Sequence, residues 1–103
     1  MNSPSSKELR QLRAQAHALR PTVTVAGKGL SASVLAELER ALNDHELIKV
    51  RVSVGDREQR DAAIVSLCDH SGAYLVQRIG NIATLLRHNP KADPRKSNLH
   101  RSQ

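Results

Sequence analysis

The most regular pattern in the chain runs from Glu46 to Val54. Ile48, Val50, Val52 and Val54 alternate with Lys49, Arg51 and Ser53. Successive strand residues point to opposite faces, so this stretch predicts a strand of a sheet buried on one side. Gly55 ends it. A shorter alternation over Thr22 to Val25 sets Val23 and Val25 on one side and predicts a second strand. Ala73 to Ile79 and Ile82 to Arg87 read as two more, joined at Gly80-Asn81 in a tight hairpin. Elsewhere the apolar period changes to that of a helix. Leu9, Leu12, Ala16 and Leu19 form one stripe over Lys7 to Leu19, with Ser6 as its cap and Pro21 as its stop. Ser31 caps a second helix that carries Val34, Leu38, Ala41, Leu42 and His45 near one face. Asp56 with Gln59 three residues later makes a variant of the capping box. It opens a third helix that buries Ala63, Ile64, Leu67 and Cys68, reaches about His70 and breaks at Gly72.

The order is helix, strand, helix, strand, helix, strand, strand. It predicts an α/β protein of the α+β two-layer type, with a four-stranded mixed sheet packed by three helices. At 103 residues the chain predicts one domain. Residues 1–5 read as a disordered lead-in and 6–87 as the domain. The last stretch, 88–103, holds two prolines and no apolar period. It reads as a flexible basic tail.

Composition narrows the chemistry. There is no Trp or Phe and a single Tyr, Tyr74, so the core is aliphatic. A reader of RNA that stacks several bases on aromatic rings is thereby disfavoured. The net charge of +6 is unevenly spread: residues 1–30 carry five cations and one acid, 31–87 seven and eight, 88–103 four and one. Basic ends around a balanced middle fit either a polyanion partner or floppy solvated tails. The first helix sharpens the choice. Arg10, Arg13, His17 and Arg20 recur at helical spacing beside the apolar stripe, with Glu8 the only acid nearby. They form a basic ridge or an ordinary solvated face. No apolar run is long enough to cross a membrane, the N-terminus lacks a secretory core, and Cys68 has no disulfide partner. These features predict a cytoplasmic protein without a membrane role.

Most catalytic and metal chemistry is excluded. His17, His45, His70, His88 and His100 are scattered, and no Cys/His spacing suits zinc. Cys68 reads as a small buried hydrophobe. Asp56, Glu58 and Asp61 complement a helix dipole and make no acid/base pair. Neither an enzyme activity nor a cofactor is expected. The turn Ala26-Gly27-Lys28-Gly29 fits neither the P-loop nor the dinucleotide-binding pattern. It is either a plain strand-to-helix turn or a phosphate site. Glycines there let backbone approach a bulky ligand, the helix start offers free N–H groups, and Lys28 adds charge.

Together these runs resemble a known family. Ala16-His17, Leu19 and Pro21, then Val23 and Val25, "AGKGL", "AELERAL", "HELIKVRV" and "SGAYLVQRIG" are similar to the CRM domain, the YhbY-like family, over residues 5–87. The resemblance implies an RNA-binding domain folded like the C-terminal domain of translation initiation factor three. It implies that a GxxG loop after the first strand contacts RNA, and that single-domain bacterial members assist assembly of large ribosomal subunit precursors. By position that loop is Ala26-Gly27-Lys28-Gly29, where Ala26 departs from the first glycine. Leu86 also departs, standing where a tyrosine is frequent. The expected partner is ribosomal RNA of large-subunit precursors, bound by a monomer through Gly27, Lys28, Gly29, Arg10, Arg13, His17 and Arg20. Lys49 and Arg51 extend the surface if their side of the strand is open. The alternative is an adaptor whose basic ends dock on an acidic protein.

Overall fold

The computed structural model describes residues 3–27 and 29–99. Their order is α1 (Ser6–Ala16), β1 (Pro21–Ala26), α2 (Ala32–His45), β2 (Leu47–Ser53), α3 (Arg57–Ser71), β3 (Tyr74–Ile79) and β4 (Ile82–Leu86). The strands form one mixed sheet in the order β1-β2-β4-β3. β1 and β2 run parallel, which requires a crossover, and α2 supplies it. β4 lies antiparallel to both β2 and β3.

The central strand β2 faces two cores. Ile48, Val50 and Val52 are fully buried beneath α2 and α3, against Leu38, Leu42 and Leu67. Each such buried side chain contributes roughly 1.5–3 kcal/mol. Leu47 points the other way. It joins Val76 and Leu86 in a smaller cluster that α1 covers with Leu12 and Ala16. The two larger helices therefore pack one face of the sheet, and α1 caps one end of the other.

Local signals set most boundaries. Asp56 and Gln59 form the expected reciprocal capping box, and Gly72 ends α3 in the left-handed conformation at φ 71°. Ser31 caps α2 by accepting from the Val34 N–H. The start of α1 differs from expectation. Ser5, rather than Ser6, pairs with Glu8 in a capping box. Its end differs too. The helix stops at Ala16 with His17 as C-cap. Leu19, although it keeps the apolar spacing, lies in the link to β1 and packs on the α1 cluster from there.

The segment after β4 corrects the expectation of a flexible tail. Residues 88–99 fold back as a strap across the C-terminal end of α2. The anchor is Glu46, which is fully buried and holds a positive φ of 62° as the C-cap of α2. Its carboxylate accepts from the Asn89 N–H at 2.6 Å and from Ser97 Oγ at 2.9 Å. Asn98 Nδ2 donates to the Leu47 carbonyl, the Asn98 N–H donates to the His45 carbonyl, and Leu99 packs on the α1 cluster. Three side-chain turns shape the strap: Asn89 Oδ1 accepts from the Lys91 N–H, Asp93 Oδ1 from Arg95, and Ser97 Oγ from Leu99. Residues 100–103 of the expected tail, and Met1 and Asn2 of the lead-in, lie outside the described residues.

Candidate nucleic-acid interface

Arg10 and Arg13 project from α1 into solvent, because Leu12 and Ala16 take the buried side of that helix. His17 and Arg20 are exposed as well, from the C-cap and the link, so half of the predicted ridge stands beyond the helix. None of these four side chains forms an ion pair among the described residues. The expectation that Lys49 and Arg51 join this surface depends on an open strand face. Arg51 is exposed, and Lys49 is half-buried with Nζ 3.4 Å from the His17 carbonyl, to which it donates. That contact ties the end of α1 to the middle of β2 and brings Lys49 beside the ridge.

The glycine turn sits farther along the same sheet. β1 leaves the level of Lys49 at Pro21 and reaches that of Ser53 at Ala26, a span of roughly 17 Å at strand rise. The ridge, the two β2 cations and the turn thus follow one another along the sheet. Gly27 and Gly29 both adopt positive φ, 59° and 80°. The Gly29 N–H donates to the Ala26 carbonyl at 3.2 Å, and the Gly29 carbonyl accepts from Ser31 at 3.1 Å. An added Cβ at either glycine meets nothing within 4 Å, so both are needed for backbone conformation rather than for space. Ala26 is the last residue of β1 and is exposed. Lys28, the predicted phosphate contact, lies outside the described residues.

Several other arginines are already engaged by acids. Arg87 donates to Glu39 Oε2 at 2.8 Å, to Asn43 Oδ1 at 2.9 Å and to the Ser71 carbonyl at 2.9 Å. It clamps α2 to α3, and its hydrogen bond holds the Glu39 carboxyl below its ordinary pKa. A cleft is lined by Arg57, Arg60 and Arg78; Arg78 bridges Asp61 directly, and Arg60 donates to the Gly55 carbonyl. Cys68 is half-buried against the main core. Burial, reinforced by the Asp69 charge, pushes its thiol pKa up, which suits a packing role. Among the described residues no group of three or more His, Cys, Asp or Glu is arranged to hold a metal. No described helix is long and apolar enough to cross a membrane.

The face of the sheet beyond α1 holds further residues: Thr24, Gln77, Ile79 and Ile82 reach its surface, and Thr84 lies buried beneath them. Alternation with the core positions Val23, Val25, Ala83 and Leu85 marks Thr24 and Thr84, whereas Ile79 and Ile82 carry no such mark because apolar strand residues read as core.

Known proteins match most of this chain. The profile of the CRS1 / YhbY (CRM) domain matches residues 5–87. A Pseudomonas aeruginosa protein named as a probable RNA-binding protein is 45% identical over 97 residues, covering 94% of this chain and 93% of its own. An RNA-binding protein of Haemophilus influenzae is 43% identical over 99 residues, covering 93% of this chain and 100% of its own. The solution structure of a hypothetical Staphylococcus aureus protein superposes with a TM-score of 0.74 at 24% identity, over 88% of this chain and 95% of that one. It shares the fold.

Proposed function

The chain belongs to the CRS1 / YhbY (CRM) domain family, and from that membership we propose that it binds RNA. The family is one of RNA-binding domains and not of enzymes. In this reading the protein is a cytoplasmic monomer that associates with precursors of the large ribosomal subunit and assists their assembly. The ribosomal destination rests on the family resemblance of the sequence. The RNA contact rests on one observation above the others: Arg10, Arg13, Arg20 and Arg51 are exposed without acidic partners among the described residues. Cations left unpaired along a surface are the footprint of a polyanion.

Ala26, Gly27, Lys28 and Gly29 extend that surface in the proposed complex. The two left-handed glycines bring backbone close to a phosphate, and Lys28 supplies a positive charge. His17, Lys49 and Arg51 bridge the turn to the ridge. Such contacts fix position on the RNA without reading base identity. Crosslinking in cells followed by sequencing of the attached RNA tests the assignment. Enrichment of large-subunit ribosomal RNA and its precursors is the expected result. Recovery of an acidic protein in place of RNA would favour the adaptor.

A further inference from the structure

The open face of the sheet is not uniformly basic. Register places Arg51 beside Ile82 and Ile82 beside Ile79, one row across three strands. The adjoining row is Lys49, Thr84 and Gln77. Both rows lie on the face opposite Val50, Val52, Ala83 and Leu85, beyond the end that α1 covers. Between them is a hollow of about 170 Å³ lined by Lys49, Gln77, Ile79, Ile82 and Thr84. Ile79 is 68% exposed, more than any other large apolar side chain among the described residues. It sits on an edge strand, where exposed apolar surface is a liability unless something covers it.

We propose that this hollow seats one unpaired nucleobase of the bound RNA. The inference rests on the RNA-binding reading above. The hollow is smaller than the roughly 300–1,000 Å³ of drug-sized ligand sites, which suits one planar ring. Ile79 and Ile82 offer an apolar floor for the ring face. The Gln77 amide both donates and accepts and meets the polar edge of a base, while Thr84, buried at 1% exposure, forms the bottom of the hollow. Lys49 and Arg51 flank the hollow on the side of the glycine turn, where the phosphates of the same nucleotide carry the complementary charge. A protein without Trp or Phe thus acquires a base contact through aliphatic side chains.

The test compares a mixed-sequence single-stranded RNA with an abasic strand of the same length. Ile79→Ser is the probing variant; Ile79 is exposed, so the fold is retained. Binding of the base-bearing strand weakens roughly fivefold, with an unchanged salt slope, and binding of the abasic strand stays the same. Gln77→Ala acts in the same direction. Arg51→Gln weakens both strands. Equal binding by Ile79→Ser and the parent, or an equal loss on both strands, overturns the base seat and leaves RNA binding standing. Failure of the parent to bind either strand overturns the RNA-binding reading itself. Self-association of the parent that Ile79→Ser abolishes would identify the occupant as a second copy and also overturn the seat.

Discussion

Ser97 Oγ donates to Glu46 Oε1 at 2.9 Å, joining positions 51 residues apart. The bond closes the strap over a carboxylate that has no access to solvent. A buried acceptor that loses a donor costs about 1–3 kcal/mol, and more when it is charged. Ser97→Ala therefore lowers stability by about that amount. Deleting residues 89–103 removes the Asn89 N–H as well, and lowers the melting temperature by about 10 °C or more. Urea and thermal unfolding of both variants check this. An unchanged melting temperature in the truncated chain would show that the strap adds nothing to the fold.

The glycine turn gives a second prediction. Gly27→Ala and Gly29→Ala clash with nothing but force a β-carbon into a left-handed backbone. Each loses about 1–2 kcal/mol of stability, whereas Ala26→Gly loses less than 1 kcal/mol through added freedom of the unfolded chain. Lys28→Ala leaves stability unchanged and reduces the salt slope of RNA binding by about 1. Denaturant midpoints with salt titrations separate the conformational role from the charge.

For the ridge, replacing Arg10, Arg13 and Arg20 with Gln preserves α1, because Gln is a good helix former and all three side chains are exposed. Affinity for RNA falls across many sequences, and the logarithmic salt slope becomes shallower by about 2, near 0.7 for each phosphate contact to a single strand. Circular dichroism confirms the helix. Unchanged affinity in the folded triple variant would reduce the ridge to a solvated face.

Arg87 and Glu39 give a pH dependence. The folded-state pKa of Glu39 is depressed, chiefly by the hydrogen bond from Arg87. The associated stability is thus present above the carboxylate's unfolded pKa and is lost as pH falls through the folded value. Glu39 is more than half exposed, so the effect is below about 1 kcal/mol. Glu39→Gln is slightly less stable than the parent at neutral pH, and the difference vanishes in acid, once the pH has fallen through the depressed folded-state value of the carboxyl. Urea midpoints at both pH values measure it, and a difference that persists in acid would mean the contact does not depend on charge.

Sequence reading succeeded where a local signal sufficed. Asp56, Gln59 and Gly72 mark both ends of α3, and the period-two run after Glu46 marks β2. It overran α1 because Leu19 keeps the helical spacing while serving the link. The strap was missed for a different reason. Its order comes from a distant buried carboxylate, and no apolar period records that. A local trace exists in Asn89, Asp93 and Ser97, polar turn formers four residues apart, two of them followed by proline. Of the candidate site, the cations were legible from spacing and charge. Ile79 and Ile82 were not, because an apolar residue in a strand reads as core until the sheet shows which face it takes.

RNA binding itself is most directly tested by titrating the parent protein against a fragment of large-subunit ribosomal RNA at several salt concentrations. Arg10, Arg13, Arg20 and Arg51 together predict saturable binding that weakens with salt, with a logarithmic slope of about −3 or steeper. Weak, unsaturable binding with a slope near zero would contradict the account.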